Sequence, residues 1–513
     1  MPTQPLKLDG TSITLEIAER VLAGESFPVR LTRDAERAVR GSKQLVERKV
    51  RSQSALYGIN TGFGKLSRVR IDDHDLAGLQ VNLLLSHACG VGPMLAPGVA
   101  RLALLLRANS LARGHSGVRP ELIELLLRLF EAGVVPLLPS QGSVGASGDL
   151  APLAHLGLLL IGRGEGRLNG RSMKGARILR TLGLEPLTLA PKEGLALING
   201  TQVSTALAVE GLIAARRLLR VADLAVATTI EALRGTVRAF DPRIHALRPH
   251  PGQQTVANNV RRLLKGSQVL KSHRNCDKVQ DPYSLRCAPQ VHGAARDTAT
   301  HVEQILVREM NSVTDNPLLF PAGGEILNGG NFHAEPIAMA ADFLAIALAE
   351  LGNISERRIE NLVNPDLSGL PAFLSPTPGL HSGFMVAQVT AAALVSENKT
   401  LCHPASVDSI PTSGGKEDHV SMATWAARKL GCVAENTKVV LAIELLAAAQ
   451  GLDLQRPWIE PGRGVAAAYR AIRSRIRRLA KDRVLATDIA RSRELIEGDV
   501  LLDAAEEAAG RIA

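Results

Sequence analysis

At 513 residues the chain can bury a large core and could hold two or three domains. Hydrophobic residues at 45% and charged residues at 21% exclude a disordered or fibrous protein, and with aromatics at only 3% a core of Leu, Ala, Val and Ile favours packed helices over sheets. The formal net charge of +10 suits a carboxylate substrate, whereas so few rings leave little for nucleic-acid base stacking.

Residues 1 to about 200 alternate short helical patterns with glycine-rich turns, Tyr57–Gly64 and Gly142–Gly148, and are expected to form an N-terminal helical domain, 1–200. Asp149 is placed to N-cap the apolar helix that follows, with Pro152 tolerated in its first turn. Gly162–Gly170 reads as a turn in a small hairpin, without a phosphate-loop context.

From Gln202 the texture changes. Apolar i, i+3, i+4 periodicity predicts long helices over 202–234, 292–312, 333–362 and 417–451, punctuated by Pro317, Pro365, Pro404 and Pro411. Two charged helices follow near 463–482 and 487–509, and the basic run Arg470–Arg483 reads as the solvated face of an amphipathic helix. Residues 201–513 are therefore expected to form a long-helix bundle, giving an all-α fold.

Five cysteines are scattered without a CxxC pair, and the first residues lack a basic-then-apolar signal. No uninterrupted apolar run reaches membrane-spanning length. The expectation is a reducing, cytoplasmic compartment with neither membrane nor nucleic acid as partner. HExxH is absent, and His273 with Cys276 or Cys402 with His403 are too few for zinc, so no metal and no external cofactor are expected.

The chemistry concentrates in Gly142–Leu160, GSVGASGDLAPLAHLGLLL. One reading is a glycine-rich turn before a core helix. Ser147 fits a hydrolase elbow poorly, because glycine follows the serine immediately instead of two places on. A third reading has the Gly148 nitrogen attack the Ala146 carbonyl, which glycine permits because it tolerates strained dihedrals. Loss of water closes a five-membered ring, and dehydration of Ser147 leaves an electrophilic methylidene.

This stretch resembles the signature of the histidine and aromatic amino acid ammonia-lyase family, whose prosthetic group is 4-methylidene-imidazol-5-one (MIO). Further blocks resemble the family in order along the chain: YGINTGFGKL (57–66), NLLLSHACGVG (82–92), EGLALINGTQ (193–202), QDPYSLRCAPQ (280–290), TDNPL (314–318), GGNFHAEP (329–336) and EDHVSM (417–422).

The resemblance implies MIO formed from Ala146, Ser147 and Gly148, and a fumarase/aspartase-like helical bundle assembled as a homotetramer with shared active sites. It makes Tyr57 the base that removes the β-proton, which requires its pKa to fall from ~10. It makes Arg286 the clamp on the substrate carboxylate, with Tyr283, Gln280 and Asn199 lining the site and supporting the electrophile, and Phe332 packing near it. His87 and Glu417 match the residues that accompany an imidazole substrate, implying elimination of ammonia from L-histidine to give trans-urocanate. Taken alone, His87 reads as a core histidine and Glu417 as a helix N-terminal acid.

Lys416 departs from the family, which often carries glutamine there. It keeps open a tyrosine or phenylalanine ammonia-lyase or an aminomutase, and His292 is a further deviation. A helical scaffold without activity is the rival from another class, and a basic nucleic-acid-binding protein a distant third.

Overall fold

The computed structural model describes residues 4–51, 56–62, 69–274, 279–455 and 457–513, so Cys276 and residues 63–66 of the first block fall outside it. The chain is all-α as expected, with strands only as short pairs or, once, three together among the described residues. It divides into two units. The first comprises Met1–Gly211, Glu303–Asp342 and Pro404–Arg428; the second comprises Leu212–Val302, Phe343–His403 and Lys429–Ala513.

In the first unit, the Pro97–Ala112 helix opens on proline, whose missing N–H costs nothing at a helix start, and every residue from Val99 to Ala112 is buried. It packs against the Leu15–Leu22, Arg33–Arg51 and Pro120–Glu131 helices. Three other helices, Leu76–His87, Leu150–Leu160 and Glu193–Ile198, pack on one another. Leu153, Leu156, Leu159 and Leu160 of the second of these are fully buried, and each truncated to alanine would cost about 2–5 kcal/mol.

The expected hairpin is present. Glu165–Leu168 pairs antiparallel with Arg171–Lys174 around a two-residue turn, Asn169-Gly170, with φ of 51° and 75°. Positive φ at both turn residues is what a type I′ hairpin needs and what Asn-Gly supplies.

The second unit draws on long helices, Gln202–Ala232, Ala288–Met310, Glu335–Val363, Met385–Leu401 and Ala423–Leu454. Buried charges cross-link its portions of them. Glu444 accepts from Arg358 Nε and Nη2 at 2.5 and 2.7 Å, and from Thr229 and Ser355 hydroxyls. Asp223 accepts from His292, Arg296 and Asn259, and His292 Nε2 lies 3.3 Å from Arg358. His292 is thus a framework residue. Burial alone would raise Asp223, but Arg296 and His292 outweigh it and hold the carboxyl below its usual range.

Three expectations need correction. The helix expected from 417 begins at Ala423, because Ser421 and Met422 are drawn into hydrogen bonds with another loop. The basic run is not one helix: the Arg463–Arg475 helix ends within it, and Arg483 folds back on the Arg477 and Arg478 carbonyls. The Met385–Leu401 helix was not foreseen. In addition, Glu335–Val363 is long and apolar enough to cross a membrane, with a mean hydropathy of 1.6 in its most apolar stretch, 67% of which is buried inside the protein.

Candidate active site

The loop Gly142–Asp149 joins the Pro139–Gln141 strand to the Leu150–Leu160 helix, and its glycines at 142, 145 and 148 all have positive φ. At Gly148 the need is strictest. φ is 75°, and a Cβ there would lie 2.3 Å from the Gly200 carbonyl oxygen. The loop is held from both sides: Gly200 O accepts from Asp149 N at 2.7 Å, Val144 O from Met422 N at 2.8 Å, and Gly145 O from Ser421 Oγ at 3.0 Å.

Asp149 does not cap its own helix as expected. No side-chain cap bond forms there. Its Oδ2 instead accepts from Val203 N and Ser204 N at 3.0 and 2.7 Å, capping the first turn of the Gln202–Ala232 helix, while Oδ1 accepts from Ser143 and Thr424 hydroxyls. Burial pushes this carboxyl above its usual range despite those bonds.

Ser147 is half-buried at the loop's apex. Its carbonyl accepts from Asn199 Nδ2 at 2.8 Å and its hydroxyl donates to Glu417 Oε1 at 2.5 Å. The hydroxyl's partner is thus a carboxylate. Asn199 follows the Glu193–Ile198 helix, whose block is pinned in turn. Glu193 accepts from Arg119, Lys192 pairs with Asp315 at 2.7 Å with both fully buried, and Arg107 donates to Asn199 O at 2.9 Å. Burial lowers Arg107 to about 10.

Glu417 sits on an irregular segment, not a helix, and Thr412 Oγ1 donates to its Oε2 at 2.5 Å. His87 ends the Leu76–His87 helix, with Nδ1 3.0 Å from the Ser86 hydroxyl. Burial holds its imidazole below the ordinary range, against smaller opposing effects of the Leu83 backbone and Glu417. Tyr57 stands in a turn anchored by Leu56 N donating to Asn60 Oδ1 and by the buried Ile59.

These side chains line one cavity of about 520 Å³: Tyr57, His87, Ala146, Ser147, Asn199, Phe332 and Glu417 all border it, as do Lys416, His333 and His419. Its described lining belongs wholly to the first unit. Gln280, Tyr283 and Arg286 belong to the second, where Tyr283 is 70% exposed and the Arg286 guanidinium stacks 4.4 Å from its ring centroid. Thr412, which fixes Glu417, and the pair His333 and His419 were missed from the sequence. Both histidines stand inside blocks already singled out, which was the available signal.

The chain matches the family model for aromatic amino acid lyases over residues 13–474. It is 57% identical over 462 residues to a histidine ammonia-lyase of Sorangium cellulosum, covering 89% of this chain and 90% of that one. It is 56% identical over 481 residues to one of Symbiobacterium thermophilum, covering 94% of each. Among solved structures, histidine ammonia-lyase from Trypanosoma cruzi superposes with a TM-score of 0.90 at 45% identity, over 99% of this chain and 96% of that chain. Tyrosine aminomutase from Streptomyces globisporus gives 0.93 at 38% identity, over 99% and 100%.

Proposed function

Because the chain belongs to the aromatic amino acid lyase family, we propose that it eliminates ammonia from L-histidine to give trans-urocanate, through a cavity built around Ser147. The observation that carries this reading is the convergence of Ser147, Asn199, His87 and Glu417 on one cavity wall with Tyr57.

The family uses the MIO group, and the Ala146-Ser147-Gly148 loop fits it. Gly148 has the positive φ and the absence of a Cβ that a compressed loop demands, and Asn199 already donates to the Ser147 carbonyl oxygen, which the group retains. When formed, the group supplies an electrophilic carbon that renders the substrate's amine a competent leaving group.

The chain's own residues do the rest. Tyr57 takes the β-proton on its phenolic oxygen, the step for which a barely acidic C–H most needs a positioned base. Glu417 accepts a hydrogen bond from the substrate imidazole, and Thr412 keeps that carboxylate aimed. His87, held neutral at pH 7 by burial, offers the imidazole a second polar contact without adding a like charge. Phe332 walls the cavity against water. Arg286 clamps the substrate carboxylate with Tyr283 and Gln280 beside it, reaching the cavity from a neighbouring subunit of a cytoplasmic homotetramer.

Likeness in fold to an aminomutase leaves the substrate to the side chains, and His87 with Glu417 favours imidazole over phenol or phenyl. The test is product formation from L-histidine, L-tyrosine and L-phenylalanine side by side, with intact mass. Urocanate from a chain lighter by two waters supports the proposal; turnover of another amino acid would displace histidine as substrate.

A further inference from the structure

His333, Glu335 and His419 come together on the first unit although 333 and 419 are 86 residues apart, and their ligating atoms all lie within 4.8 Å of one another. The two imidazoles are stacked, with centroids 5.6 Å apart and planes 2° from parallel. His333 Nε2 donates to the His419 carbonyl oxygen at 3.3 Å, which fixes the proton on Nε2 and leaves the lone pair on Nδ1. Glu335 Oε2 is buried and has no hydrogen-bond partner among the described residues. A buried carboxylate oxygen without a donor is a costly arrangement unless a cation completes it.

We propose that His333, Glu335 and His419 form a binding site for a divalent transition-metal ion on the wall of the cavity. Two imidazoles and one carboxylate are a donor set that suits zinc or cobalt over magnesium or calcium. Bonds of about 2.0–2.1 Å to a tetrahedral ion put its ligands roughly 3.4 Å apart, so the set closes on an ion with side-chain movement on the order of an ångström. A histidine that donates its other N–H to a backbone carbonyl is the usual partner of such an ion. Three protein ligands leave a coordination position for water or for a group in the cavity, which both histidines line.

The site joins two segments. His333 and Glu335 stand at the start of the Glu335–Val363 helix, and His419 stands two residues beyond Glu417. An ion there would tie the Glu417-bearing segment to that helix end. The site rests on these three side chains irrespective of the substrate assigned to the cavity.

The experiment is titration of the purified, metal-stripped full chain with Co²⁺ and Zn²⁺, followed by visible absorption, bound metal per chain and thermal midpoint. Expected are about one ion per chain, d–d bands of a low-coordinate Co²⁺ site, and a midpoint that rises with metal. In His419→Ala and Glu335→Gln the affinity should fall by at least the roughly 10- to 100-fold that loss of an outer-shell partner alone brings. His419 is exposed, so its truncation leaves the packing intact, and circular dichroism checks this. Absence of stoichiometric binding to the parent chain would overturn the proposal, as would unchanged binding in folded His419→Ala.

Discussion

The Ser147 hydroxyl donates to Glu417 Oε1 at 2.5 Å across 270 residues of chain. This contact joins the residue proposed to become the electrophile to the residue proposed to select the substrate, so each can be tested against the other.

Ser147→Ala should fold normally, but with no hydroxyl to eliminate it can lose at most the ring-closure water and forms no methylidene, so its turnover should drop to background. Gly148→Ala should also fail to mature, because its Cβ would lie 2.3 Å from Gly200 O. Intact mass reads both. A Gly148→Ala chain lighter by two waters would remove the steric argument for glycine.

Tyr57→Phe keeps the ring and loses the oxygen. The chain should still be lighter by two waters, while kcat falls about 10²- to 10⁴-fold, the usual weight of one general base. Turnover within a few-fold of the parent would take the base role away from Tyr57.

Glu417→Gln preserves shape but not charge. A hydrogen bond to a charged group contributes about 1.5–3 kcal/mol, so kcat/KM for L-histidine should fall roughly 10- to 150-fold. Steady-state kinetics with the fully matured fraction, judged by mass, make the comparison. An equal fall for L-tyrosine and L-histidine would argue that Glu417 serves the reaction and not the choice of imidazole.

The proposed sharing of active sites between subunits makes a distinct prediction. Ser147→Ala and Arg286→Ala should each be inactive alone, and co-expressed chains should recover part of the parent activity in mixed tetramers. Failure to recover any activity, with mixed tetramers shown by mass, would place Ser147 and Arg286 of one site on the same chain.

Glu231 predicts a pH dependence of stability. It is buried, accepts from Gly462 N at 2.9 and 3.0 Å, and burial with Glu460 nearby raises it to about 7. The folded chain then holds a proton that the unfolded chain releases near the ordinary glutamate value of 4.5. Its stabilising contribution is full below that value and is lost as pH rises to about 7, on the order of 3 kcal/mol in all. Thermal midpoints of Glu231→Gln and the parent should therefore diverge across this window, the variant declining less. Parallel curves would show that Glu231 titrates normally.

The long helices were legible because apolar periodicity sustained over many turns matches a helix with one buried stripe and little else. Met385–Leu401 escaped because its buried positions include Ala387, Ala391, Val395 and Asn398 while Val386 and Val389 are exposed, so its inner stripe is small and its outer face apolar. The start of the last long helix was misplaced because Met422 N bonds Val144 O, a tertiary contact that local propensity does not register. Of the proposed site, the loop and the blocks lining the cavity stood in the sequence. Thr412 behind Glu417, and the pairing of His333 with His419, arise only when distant segments meet.

Asp149 binds Ser143, Ser204 and Thr424 at once, and these lie in segments far apart along the chain. The loop geometry therefore depends on ties that the assembled fold supplies. A chain still emerging from the ribosome, lacking residue 424, lacks the Thr424 tie that helps hold Asp149 beside this loop. The proposed self-modification at this loop would then act as a checkpoint: a reactive carbon that would scavenge stray amines and thiols on an unfinished chain would arise only once walls exist to contain it.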